Sequence, residues 1–387
     1  MELRQGLAWM VPLLLSPGAV AQEPVATRVE RPALGRMRPL PVHVGGRTVQ
    51  APMPGRPRGA VRFTHEWPGI YWEGRFRGDA VVLAFDDPAN EYRLIVDDRP
   101  PITLAQPGRA SYQITGIGHG DHRVRLEKVT ESIGRVERFD GFYVGRNAAA
   151  LPVAPRSRQI EFIGPSGMTG YGNRSTTRTC DLEAVRLSTD TQRAFPALVA
   201  KHFGADYQIN AISGRGLIRN IGGSMPGLGL ARVYPRVLPG QQTPYADPTW
   251  RPQIIVTQAI VDFIGEVKPG EAWADQNALA LAYLEAMAGF VAELHRRSPD
   301  ATIIVTWIDP ATQVDPAAQR LIADGRQRIE AAAKQAGVKA IDFMIQPADL
   351  KLEMTGCNHH GNMRDHRIIA DWMVGYLDRH PDWWRGR

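Results

Sequence analysis

Ile160-Glu161-Phe162-Ile163-Gly164-Pro165-Ser166-Gly167-Met168-Thr169-Gly170-Tyr171-Gly172-Asn173 decides how the second half of this chain folds. The apolar, β-branched opening reads as a buried strand ending at Gly164, and Thr169-Gly170-Tyr171-Gly172-Asn173 then breaks regular structure. Between them stands Ser166. A Ser just past the end of a core strand is placed for nucleophilic chemistry, because the N–H groups of the turn and of the helix start beyond it can face a developing oxyanion. The strict nucleophile elbow needs Gly two residues after the Ser; Met168 stands there, so that motif is rejected. From this stretch alone, a plain Gly/Ser turn after a strand is the alternative.

Downstream, β and α patterns alternate. Ile254–Thr257 and Ile303–Trp307 are β-branched core strands. Residues 277–297 carry apolar side chains at helical spacing (Ala278, Leu281, Leu284, Ala288, Val291, Leu294), with Asp275 as N-cap and Ser298-Pro299 as a stop. A second helix is expected from about Pro316 to Ala336 with Gly337 past its end, then a strand over Val338–Phe343 and a last helix over Met363–Asp378. The alternation predicts an α/β domain with a parallel sheet over 156–387, binding its ligand at the carboxyl ends of the strands.

Upstream, a linker over 146–158 follows a different pattern. Residues 61–150 hold short alternating runs such as Val61-Arg62-Phe63, Ala80–Phe85 and His122–Leu126, punctuated by Asp97-Asp98-Arg99-Pro100-Pro101 and similar turns. With no helical period among them, they predict an antiparallel sandwich of about eight strands. Residues 22–60, rich in Pro, Arg and Gly, read as an extended lead-in with one short strand near Val42–Val49. Residues 1–21 read as a signal peptide. Arg4 supplies a positive start, Leu7–Leu15 a short apolar core, and Ala19-Val20-Ala21 a cleavage site near Ala21. The mature protein is therefore expected in the periplasm or secreted, with no membrane span.

A chain of 387 residues is long for one core, in keeping with two domains. Its net charge of +6 is spread among acidic residues with no nucleic-acid arm, so no nucleic-acid partner is expected. Two cysteines, Cys180 and Cys357, form a candidate disulfide in an oxidising compartment; two buried free thiols are the alternative.

A Ser nucleophile needs a base within hydrogen-bond reach. The loop Gly356-Cys357-Asn358-His359-His360-Gly361-Asn362 offers two adjacent imidazoles before the last helix. His359, His360 and His366 lack the spacing with a carboxylate or thiolate partner that zinc would need, so no metal or cofactor is expected. A second Gly-rich loop, Ile212–Asn220, could be a turn or could expose an N–H to an oxyanion.

Gly164-x-Ser166 with Thr169-Gly170-Tyr171-Gly172-Asn173, then Ser213-Gly214-Arg215-Gly216-x-x-Arg219-Asn220, then Gly356-Cys357-x-x-His360, together resemble the SGNH hydrolases. More narrowly the chain is similar to the family-two carbohydrate esterases, which remove acetyl groups from polysaccharides such as xylan and mannan. Leu126-Glu127-Lys128-Val129-Thr130-Glu131 and Phe139-Asp140-Gly141-Phe142 resemble the last strands of that family's N-terminal domain, which extends the likeness over nearly the whole mature chain. The resemblance implies a jelly-roll sandwich followed by a flavodoxin-like α/β domain. It also implies Ser166 as nucleophile, His360 as base, the N–H groups of Ser166 and Gly214 as oxyanion donors, a structural His366, and an acetylated polysaccharide or oligosaccharide as substrate.

Several family positions differ here. Pro165 replaces an Asp beside the nucleophile, removing an N–H and a carboxylate. Val261 stands where an Asn donates to the oxyanion, and loss of one such donor typically costs about 10²–10³ in rate. Asn358, the possible orienter of His360, replaces the Asp two residues before the base. Two functional classes follow: an exported carbohydrate esterase using Ser and His, and a catalytically impaired relative that binds glycan. Tyr171, Trp307 and Trp372 could stack on sugar rings, although aromatic residues at such positions are more often core.

Overall fold

The computed structural model describes residues 23–29, 31–132, 134–258, 261–307, 316–347 and 349–385. The leader expected over 1–21 lies outside them.

The second half is a parallel sheet in the order Asp206–Ala211, Gln159–Gly164, Ile254–Thr257, Thr302–Trp307, Ile341–Ile345. Its strands are buried on both faces, which is why they read as continuous apolar runs rather than as alternation. Ile160, Phe162, Val256 and Ile304 meet helices Phe195–His202 and Met363–Asp378 on one face. Ile163, Ile255, Ile303 and Val305 meet helices Gln276–Arg297 and Pro316–Gln335 on the other. Asp275 caps its helix through a side chain that accepts from the Ala278 N–H, and Asn362 with Asp365 forms a full capping box at the last one. Gln276–Arg297 is long and apolar enough by composition to cross a membrane. Its buried face, Leu279, Tyr283, Met287, Phe290 and Leu294, packs in the domain core.

The chain lays its first parallel strand in the interior of the sheet, its second to one side and its third to the other. Such a reversal leaves a crevice at the carboxyl ends of the strands. Ser166 follows the strand beside that crevice.

The first half is a sandwich of two antiparallel sheets, of seven and six strands. Trp72 and Phe139, from different sheets, meet with ring centroids 5.1 Å apart in a fully buried aromatic core. The expected lead-in is corrected here. The short strand expected near Val42–Val49 is present as His43–Gly45 in one sheet, but Val25–Val29, Arg38–Pro39 and Thr48–Pro52 also join the other, and Ala149–Leu151, expected in the linker, pairs with Tyr71–Gly78. These short pieces become strands through their partners; Pro39 and Pro52 are tolerated in flanking positions that make few ladder bonds.

The two halves share a polar seam. Arg47, 1% exposed, donates from Nε to Gln208 (3.0 Å), from Nη2 to Glu161 (2.8 Å) and from Nη1 to the Tyr234 and Arg236 carbonyls. Its guanidinium lies 4.5 and 4.3 Å from the ring centroids of Tyr234 and Tyr245. Nearby, Arg125 and Arg156 converge on Glu73 (2.6 and 2.8 Å) and hold its carboxyl below the usual range against the opposing effect of burial.

Candidate active site

Ser166 opens a single helical turn, Ser166–Thr169, whose N-cap is Pro165. Pro165 offers no side-chain cap, but its carbonyl accepts from the Met168 N–H (3.0 Å). The Thr169 hydroxyl donates back to the Ser166 carbonyl (3.0 Å), and Asn173 exchanges hydrogen bonds with the backbone of Asp190 in both directions (3.0 and 2.9 Å). The Gly/Asn-rich stretch is thus a closed, internally bonded turn.

His360 approaches from the opposite end of the domain sequence. Its Nε2 lies 2.8 Å from Ser166 Oγ, and its Nδ1 lies 3.0 and 3.2 Å from the carbonyl oxygens of Cys357 and Asn358. Carbonyls only accept, so Nδ1 carries the ring proton and Nε2 presents its lone pair to the Ser hydroxyl. Tyr171 covers one face of the imidazole, with ring centroids 4.4 Å apart. Asn358 acts here through its main chain. Its carboxamide turns away, donating to the Tyr171 hydroxyl (3.1 Å) and bonding the backbone of Cys180.

The loop holding His360 is fixed by the Cys180–Cys357 disulfide, which bridges 177 residues with the Cα atoms 5.4 Å apart. Gly172 makes room for it: a Cβ there would lie 2.2 Å from Cys357 Cβ, and its φ of +57° also favours glycine. Arg178 clamps the same loop by donating to the Glu353 and Met354 carbonyls (3.0 Å each). Reducing the bridge is expected to lower stability by about 2–5 kcal/mol and to depress turnover further than stability loss alone explains. Denaturant midpoints and initial rates with and without reductant, at a temperature where both forms remain folded, check this.

Burial holds the His360 imidazole below its ordinary value, with the neighbouring His359 adding to the effect and the two carbonyls opposing it. A neutral imidazole is the form that can take a proton. Activity is therefore expected to rise with pH through a single ionisation centred below about 6.5 and to be on its plateau at neutrality. A kcat/KM profile from pH 4 to 8 with its midpoint above 7 would contradict it.

The second Gly-rich loop starts beside the first, because Ala211 pairs in register with Gly164. Ser213 Oγ lies 3.1 Å from Thr169 Oγ1, and Gly214 follows at φ +75°. The loop's far side hangs on Asp262, a buried carboxylate that accepts the N–H groups of Leu217, Ile218 and Arg219 at 2.8–2.9 Å. Val261, beside it, is buried and apolar; Ala259 and Ile260 lie outside the described residues. His366 is buried, held near pH 4 by desolvation, and accepts from the Phe195 N–H (3.3 Å). Among the described residues no group of three His, Cys, Asp or Glu side chains is placed to hold a metal ion.

A cavity of about 390 Å³ opens beside Gly167 and His360, lined by Gln258, Trp307, Leu352 and Trp372 among others. Trp307 and Trp372 thus flank the crevice, whereas Tyr171 is engaged with the imidazole.

Residues 55–154 match the family model "Carbohydrate esterase 2 N-terminal". An acetylxylan esterase/glucomannan deacetylase of Cellvibrio japonicus is 36% identical over 348 residues, covering 90% of this chain and 93% of the relative. The chain belongs to carbohydrate esterase family two. A solved carbohydrate esterase, whose active site is described as displaying divergent catalytic and non-catalytic binding functions, aligns over 90% of this chain and all of its own at 34% identity and a TM-score of 0.80. A family-two carbohydrate esterase from Clostridium thermocellum, solved with cellohexaose, shares the fold at 20% identity and a TM-score of 0.69 over 89% of this chain and all of that one.

In this family-two chain Ser166 meets His360, as the sequence suggested, and Cys180 meets Cys357, while Gly214 is placed only by its neighbour Ser213, whose hydroxyl stands beside Thr169. Sequence reasoning left unread the carbonyl pair on His360 Nδ1, the Asp262 anchor and the carboxylate of Glu131 that reaches Ser213 from the sandwich. Asp262 carried a signal, as an isolated acid after a core strand.

Proposed function

We propose that this chain is an exported carbohydrate esterase that removes acetyl groups from polysaccharide or oligosaccharide. The observation that carries the reading is the 2.8 Å contact between Ser166 Oγ and His360 Nε2, with Nδ1 committed to two carbonyls. Ser166 attacks the acetyl carbonyl while His360 takes its proton. The oxyanion faces the N–H groups of Ser166 and Gly214. The imidazolium returns the proton to the departing sugar hydroxyl, and His360 then draws a proton from water as it hydrolyses acetyl-Ser166. With no donor on the Val261 side chain, the two backbone donors carry that stabilisation.

Acetylated xylan and glucomannan are the first substrates to try, since the Cellvibrio relative bears both activities in its name. Export is supported by the apolar leader in the sequence and by the disulfide, which persists in oxidising compartments. The test is acetate release from both polysaccharides and from an aryl acetate by the purified protein. No release above a protein-free blank on any of the three would overturn the esterase reading.

A further inference from the structure

The sandwich domain reaches into the site. Glu131, 6% exposed, lies just beyond the strand Gly120–Lys128 and accepts both the N–H of Ser213 (2.8 Å) and its hydroxyl (2.5 Å). Ser213 precedes Gly214, and its Oγ stands 3.1 Å from that of Thr169, whose own proton goes to the Ser166 carbonyl, so Glu131 reaches the residue bearing the nucleophilic hydroxyl through two hydrogen bonds joined by one side-chain contact. The segment presenting Glu131 is itself anchored. Buried Lys128 donates to the Glu66 and Trp67 carbonyls (3.0 and 2.9 Å) and to Ser132 Oγ, and the Val129 carbonyl accepts from Thr191 N–H (2.9 Å) across the domain boundary.

Resting on the esterase reading, we infer that Glu131 is a positioning residue for ester hydrolysis, fixing the Ser213–Gly214 turn against Ser166 so that the sandwich completes the site of the α/β domain. A bidentate acceptor on consecutive main-chain and side-chain donors of one residue sets that residue's position and rotation together. Displacing a transition-state donor by about 1 Å can cost on the order of 10²-fold in rate, while a ground-state substrate carbonyl is much less sensitive. Burial drives the Glu131 carboxyl upward, opposed by the Ser213 hydrogen bonds and by Lys128. A buried carboxyl is retained here because Ser213 satisfies both of its oxygens.

The test compares Glu131→Ala, Glu131→Gln, Ser213→Ala and the E131A/S213A double variant in the full chain. For E131A, kcat on an aryl acetate is expected to fall about 10–100-fold with KM changed less than about threefold. E131Q, whose amide oxygen can still accept the Ser213 N–H, should recover part of that loss. The Glu131 effect should also be smaller in the S213A background. Amide hydrogen exchange over residues 212–217, read by mass spectrometry, should quicken in E131A, and this readout is independent of turnover. Wild-type inactivity would therefore overturn the esterase reading alone. Unchanged exchange together with unchanged kcat, or a loss confined to KM, would overturn the role of Glu131. Should E131A fail to fold, E131Q with kcat and exchange both as in the wild type overturns it equally.

Discussion

Ser166→Ala is expected to lower kcat for acetate release by a factor on the order of 10⁴ or more, with the melting transition nearly unchanged. Its hydroxyl is the one aimed at His360 Nε2. Of the two neighbouring hydroxyls, Thr169's donates to the Ser166 carbonyl and Ser213's to Glu131, so both are held in other contacts. The folding cost is small because Ser166 is half-buried at the rim of a crevice, and the imidazole left behind keeps its carbonyl partners and its contact with Tyr171. Residual turnover within about tenfold of wild type would show that another group carries the chemistry. Steady-state rates on an aryl acetate and a denaturant melt on the same preparation read both parts.

The second large effect is on stability. Arg47→Ala should destabilise the protein by about 3–5 kcal/mol, the range for breaking a buried ion pair by removing one partner. Glu161, also 1% exposed, keeps donors in Asn210 Nδ2 (2.6 Å) and Trp250 Nε1 (3.2 Å) but loses its only ion-pair contact among the described residues. The Tyr234 and Arg236 carbonyls lose their guanidinium donor as well. Because Arg47 belongs to the sandwich and its partners to the α/β domain, the loss falls on the interface. Urea unfolding should show a lower midpoint, and an Arg47→Met/Glu161→Met pair should recover only part of it, since it removes the buried charge but leaves the two carbonyls, Asn210 and Trp250 without these partners. A shift of less than about 1 kcal/mol for Arg47→Ala would refute the argument.

The parts legible in the sequence were those set by local pattern. The parallel strands announced themselves as β-branched runs, the long helix by its period and its Asp275 cap, and Ser166 by standing just past a strand. Lead-in strands such as Arg38–Pro39 have too few residues for a pattern and exist because Glu137–Val144 pairs with them. The site's supports were hidden for a related reason. Glu131 and Ser213 are 82 residues apart and in different domains, so no spacing rule joins them. Asn358 drew notice through its side chain, whereas its contribution to the imidazole is a carbonyl that any residue would carry.

That last point bears on how the site tolerates change. The groups that fix the His360 proton are peptide carbonyls, so no amino-acid exchange at 357 or 358 deletes them chemically. They can be lost only by rerouting the loop. Sensitivity is thereby moved from the orienting positions to those that shape the path. At Gly356 a Cβ would press to 2.9 Å from the Gly361 carbonyl, and at Gly172 it would strike Cys357. A saturation scan should accordingly find positions 172 and 356 nearly invariant and position 358 open to Gly and Asp but not to β-branched residues, because its φ of +50° and not its carbonyl is what constrains it. The sequence record of such a site would then advertise glycines rather than an acid, and a search for the missing carboxylate would look in the wrong place.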